Sequence, residues 1–152
     1  MIWHWRRPGL LLRWNAVLCA VLVLLWSGPE DTRIGGAAAL GVWTAVSIGT
    51  YWASRRGGVI VRGWRAAALW IVFGAAVGAG AALCTVLVML FKDVRHAHPF
   101  PDFPPGVLAA MIARVPPWAA AGALFGLCAG LMRGALDPRS PDAGVSDGRG
   151  VI

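Results

Sequence analysis

Four apolar stretches constrain this chain more than any other feature. They cover about residues 9–27, 34–54, 65–91 and 116–133. Each approaches or exceeds the ~20 residues that a helix needs to cross a bilayer. Hydrocarbon offers the backbone no hydrogen-bond partner, so a crossing segment must satisfy its own amides and carbonyls, as a helix does. Composition agrees. The chain is 58% hydrophobic and 14% charged, against about 25% charged in an average soluble domain. The expected fold is an all-α integral membrane protein. It has four transmembrane helices and a short interfacial helix, at about 105–115, before the last span.

The segment boundaries have physical signals. Gly28-Pro29 ends the first span, since proline does not continue a helix easily. The third run is the longest, so it tilts or projects from the bilayer. The fourth holds Arg114 inside an apparently unbroken apolar run. A charge within hydrocarbon is costly and usually functional. Pro116-Pro117 offers another layout, because proline suits the first turn of a helix and not its interior. The last span would then begin there. Leu108, Met111, Ile112 and Val115, at helical spacing, would form a surface helix with Arg114 reaching headgroups. This second layout is the expectation.

The net charge of +7 does not point to nucleic acid, because no basic motif stands on a soluble domain. Arginines instead mark the cytoplasmic side of membrane spans. Ten basic residues flank one side: Arg6, Arg7, Arg13, Arg55, Arg56, Arg62, Arg65, Arg133, Arg139 and Arg149. Four flank the other: Arg33, Lys92, Arg95 and Arg114. Both termini are therefore expected in the cytoplasm and the 92–115 loop outside, in a plasma or inner membrane. Domain 1–136 is the membrane unit, and 137–152 reads as a disordered tail. The basic, apolar N-terminus reads as a retained first span, since its apolar run outlasts a signal core and no Ala-x-Ala site follows. Indole prefers interfaces. Trp14, Trp52, Trp64 and Trp70 are expected near the inner boundary and Trp26 and Trp118 near the outer one. Trp43 is mid-span and is expected against a partner helix or lipid.

Small residues recur every four positions. One stripe is Ala37, Gly41, Ala45 and Gly49. A second is Gly74, Gly78 and Ala82, and a third is Gly122, Gly126 and Gly130. Such stripes let helix backbones approach closely in lipid, where van der Waals contact replaces the hydrophobic drive. Close helix packing through these glycines is expected, with one stripe available for a subunit contact.

Chemistry is sparse. Cys19, Cys84 and Cys128 all fall in apolar spans without Cys-x-x-Cys spacing, so they read as packing residues. There is no phosphate-binding Gly loop, no Gly-x-Ser-x-Gly and no His-Glu-x-x-His. No span contains a histidine, so haem ligated between spans is not expected. Small multidrug exporters resemble this chain in length only; their membrane-embedded Glu has no counterpart in its first span.

One loop carries candidate ligands. His96-Ala97-His98-Pro99-Phe100-Pro101-Asp102-Phe103-Pro104-Pro105 places two histidines two residues apart. In extended backbone both rings share one side. With Asp102 or Asp93 they make a weak transition-metal set. Against this stands a connector stiffened by prolines, with Phe100 and Phe103 dipping into headgroups. No cofactor is expected beyond a metal at His96/His98. The chain reads as a non-catalytic accessory subunit of a larger membrane complex, bioenergetic complexes included, with lipids and other membrane subunits as partners. The competing classes are a small oligomeric transporter or channel, and a metal-dependent assembly factor using the His96/His98 loop.

Overall fold

A computed structural model describes residues 9–28, 33–55, 64–96 and 100–135. His98 and the 137–152 tail lie outside them. Every regular element among the described residues is a helix: α1 Leu10–Trp26, α2 Ile34–Arg55, α3 Trp64–His96, α4 Pro105–Ile112 and α5 Val115–Ala135. Three stretches are long and apolar enough to cross a membrane: Ile34–Arg55, Trp64–His96, and α4 with α5 as Pro105–Arg133. α1 is apolar but shorter, at 17 residues. Large apolar side chains point outward all round, among them Leu11, Val94 and Phe125, as a lipid-facing surface requires.

α3 is the central helix. It packs against both α2 and α5, while α1 docks mainly on α2. At 33 residues it is about 50 Å long, well beyond the ~30 Å hydrocarbon core. It runs to His96, five residues past the expected end of the third span.

Glycine sets the register between helices. A Cβ placed on Gly74 would overlap the Gly122 carbonyl and lie 3.0 Å from the Gly126 Cα. One on Gly78 would overlap the Trp118 carbonyl and lie 3.2 Å from the Gly122 Cα. Gly122 and Gly126 reciprocate, against the Gly74 and Trp70 carbonyls. The two Gly-x-x-x-Gly motifs therefore face each other, antiparallel, backbone on backbone. Gly130 takes the Trp70 side chain, 3.1 Å from where its Cβ would be. Elsewhere along α3, Gly41 fits against the Thr85 backbone and Gly49 against Val77 and Phe73. All three small-residue stripes face neighbours within the chain.

The buried core lies at one end. Ala37, Leu40, Val86, Val88, Met89, Phe103 and Met111 form it, with Leu22, Val23, Trp26, Val107 and Leu108 packed around them. This cluster draws α4 along α3. The short helix expected before the last span is present; it stops at Ile112, not at 115, and with α5 makes one apolar stretch from Pro105 to Arg133. The same side chains that suggested a surface helix, Leu108 and Met111, fill the α3 face. α5 begins at Val115, with Pro116 and Pro117 in its first turn, within one residue of the expected start. Between α4 and α5 only Ala113 and Arg114 form a turn, held by Arg114 N–H to the Met111 carbonyl at 3.1 Å.

Candidate functional site

The polar side chains of the described residues gather mainly at the core end, where α1, α3 and the 100–104 loop meet. α3 ends in Lys92, Asp93, Arg95 and His96. α1 contributes Trp26, Ser27 and Gly28, and the loop Asp102 and Phe103. The prolines on either side of Asp102 and Phe103 restrict this loop's backbone, which helps hold it over the end of α3.

Each partner is defined. His96 Nδ1 lies 2.5 Å from Asp102 Oδ2, with both side chains largely buried. His96 Nε2 faces the Gly28 carbonyl at 3.4 Å. The Phe103 N–H donates to Asp93 Oδ1 at 3.0 Å. Arg95 Nη1 donates to the Leu24 carbonyl at 2.9 Å and to Ser27 Oγ at 2.7 Å. Ser27 Oγ donates to the Leu24 carbonyl at 2.8 Å. Helix ends leave carbonyls without intrahelical donors, and Arg95 serves one such group at the end of α1. Lys92 is fully buried, its ammonium 4.6 Å from the Trp26 ring centre. Trp26 stacks on Phe103, with centroids 6.4 Å apart. A cation over an indole face is attracted by the ring quadrupole, so Trp26 is in contact with both Lys92 and Phe103.

This geometry bears on the expected metal set. Asp102 is the hydrogen-bond partner of the His96 ring, the place that a carboxylate takes behind a ligand histidine. Asp93 is engaged by the loop backbone. Among the described residues, no group of three His, Cys, Asp or Glu side chains is placed to hold a metal ion. Phe103 does not dip outward, being 2% exposed; Phe100 does, at 81%.

Mid-height polar groups tie α1 to α2. The Trp43 indole N–H donates to Asn15 Oδ1 at 2.9 Å, and Asn15 Nδ2 donates to Ser47 Oγ at 2.7 Å. Cys19 and Thr44 meet at 3.3 Å. Trp43 thus faces a neighbouring helix. Beside these groups an open apolar groove of about 440 Å³ runs past Cys19, Val23, Thr44, Ile48 and Phe91. Trp118 is not at an end of the bundle: its carbonyl packs on Gly78.

Sequence reasoning missed the Arg95, Lys92–Trp26 and Asn15–Trp43–Ser47 contacts. Basic residues three apart at the end of the third span were a usable signal, since Lys92 and Arg95 fall on one face of α3. No family model matches this chain, and neither does any curated protein or solved structure.

Proposed function

We propose that this chain is a non-catalytic accessory subunit of a larger membrane complex, a bioenergetic one included. In this reading α1 makes a fourth crossing. Both termini lie in the cytoplasm, and the loop that joins α3 to α4 lies on the outer side. Lipids and unlike membrane subunits are its partners, and nucleic acid is not. The observation that carries the reading is the α2–α3–α5 packing. Where a solute path through one protomer would run, the backbones of α3 and α5 touch at Gly74, Gly78, Gly122 and Gly126. Thr85, beside Gly41, spends its hydroxyl on the Ala81 carbonyl at 2.8 Å. A bundle closed on its own axis offers its outer faces instead.

A second reading, a small transporter or channel, needs a path between copies. It is favoured by the break between α4 and α5 with its exposed Arg114, since broken helices line the solute sites of many transporters. A third, an assembly factor that takes a metal at His96 and His98, draws on the His96–Asp102 pair.

Purification of the full chain from its native membrane in mild detergent, followed by mass spectrometry of the co-purified proteins, separates these readings. The first predicts stoichiometric unlike subunits. Recovery of a homo-oligomer that passes ions in liposomes would replace it with the second. Stoichiometric metal, lost on joint His96→Ala and His98→Ala substitution, would replace it with the third.

A further inference from the structure

The glycine register fixes the height of Arg114. Trp118 lies against Gly78, so one turn further along both helices Arg114 comes level with Ala82 on α3. Met111, next along, shares the core with Val86 and Met89, so the antiparallel course holds beyond the break. On α2, Gly41 meets Thr85 and Ala45 lies near Gly80. Ala82 is therefore level with Thr44, which also meets Cys19 of α1. Thr44 stands midway between Arg33 and Arg55, the charges that bracket the α2 span. Arg114 is thus about 16 Å from either charged boundary, at a rise of ~1.5 Å per residue. An extended arginine side chain is shorter than that, so from this height its guanidinium reaches neither charged boundary.

At this height Arg114 is exposed, and its guanidinium has no hydrogen-bond or ion-pair partner among the described residues. A second feature sits beside it. Pro116 and Pro117 carry no N–H, so the carbonyls of Ile112 and Ala113 lack the donors that a continuous helix would supply. Both residues are exposed. Broken backbone and a bare cation are tolerated at membrane depth where protein or water covers them, not lipid tails. The face continues down α5 through Ala121, Leu124, Phe125 and Cys128, all exposed.

We propose that this face docks a transmembrane helix of an unlike subunit that carries an aspartate or glutamate at mid-span. The proposal rests on the accessory-subunit reading and names the chemistry of its partner. A second copy does not meet the requirement. The chain's seven acidic residues are Glu30, Asp31, Asp93, Asp102, Asp137, Asp142 and Asp147. All lie at span ends, in loops or in the tail. A carboxylate is the group that accepts both guanidinium hydrogens in a planar fork. An isolated partner acid would be as costly in lipid as Arg114 is, so each supplies what the other lacks.

The test uses the full chain in its native membrane, with a photoreactive amino acid at Ala113. The expected cross-link joins it to a transmembrane peptide of another protein that contains Asp or Glu. Arg114→Leu is expected to reduce co-recovery of that protein at least tenfold, while helix content by circular dichroism stays unchanged. Arg114→Glu is expected to abolish recovery, and exchange of the partner acid for Arg to restore it. Cross-links confined to lipid or to a second copy would overturn the proposal. So would full recovery of the partner with Arg114→Leu, which leaves the accessory reading standing. Wild-type chain recovered without any unlike protein would overturn both.

Discussion

Gly126 and Gly80 are both helical glycines, and their surroundings assign them opposite fates. A side chain at Gly126 would strike the Trp70 carbonyl, part of a backbone that does not rotate away. At Gly80 the nearest atom is the Ala45 Cβ, 3.8 Å away, an ordinary contact. Gly126→Leu should therefore destabilise the folded chain toward or beyond the upper end of the ~1–3 kcal/mol that overpacking costs. Gly80→Ala should be neutral or should stabilise by up to about 1 kcal/mol, the helix preference of Ala over Gly. Unfolding in detergent, followed by tryptophan fluorescence, measures both. Equal effects would show that the Gly74–Gly126 contact is not a backbone contact. The spacing of these glycines was legible in the sequence. Which face met which helix was not, because all three stripes carry the same four-residue repeat and only packing distinguishes them.

The connection of α4 to α5 is the element whose packing the sequence pattern left open. Leu108, Met111, Ile112 and Val115 make an apolar stripe whether its cover is a lipid interface or a helix. Periodicity reports that a face is buried, not by what. Phe103 and Met111 enter the core beside Val86 and Met89, so part of this face is covered by α3. The start of α5 was legible, because Pro116-Pro117 is a chemical signal independent of context. Joint Pro116→Ala and Pro117→Ala substitution should restore two amides and fuse α4 to α5. The expected result is slowed hydrogen exchange of backbone amides across 113–118; unchanged exchange would mean that something other than the prolines breaks the helix. At the other end of α3, Arg95 ties down α1. Arg95→Ala should speed exchange of amides 25–28 and leave those of α5 unchanged. Because Arg95 is exposed, the stability loss should be no more than about 1 kcal/mol. Its partners Leu24 and Ser27 are 71 and 68 residues away in sequence. Contacts at that separation leave no local trace, which is why the cluster around His96 was visible only as a loop with two histidines.

The described residues form a bundle centred on α3, with a cluster of charged groups capping its core end and Arg114 stranded at mid-height. The arginine was legible as an anomaly, but its depth was not: height along a span is relative to neighbours, and the glycine contacts supply it. Left facing lipid, that charge would cost at least ~2.5 kcal/mol, a large fraction of the ~5–15 kcal/mol that holds a typical protein folded. The bundle therefore reads as part of something larger. If α1 makes the fourth crossing, reporter fusions at the two termini should report the same side of the membrane; opposite sides would mean three crossings, with α1 on the surface. The most direct measurement is the mass of the intact assembly, released from native membranes in mild detergent and weighed by native mass spectrometry. The account predicts a mass that exceeds the 16.0 kDa chain by at least one unlike polypeptide. A mass equal to the single chain, or to a whole-number multiple of it, would contradict it.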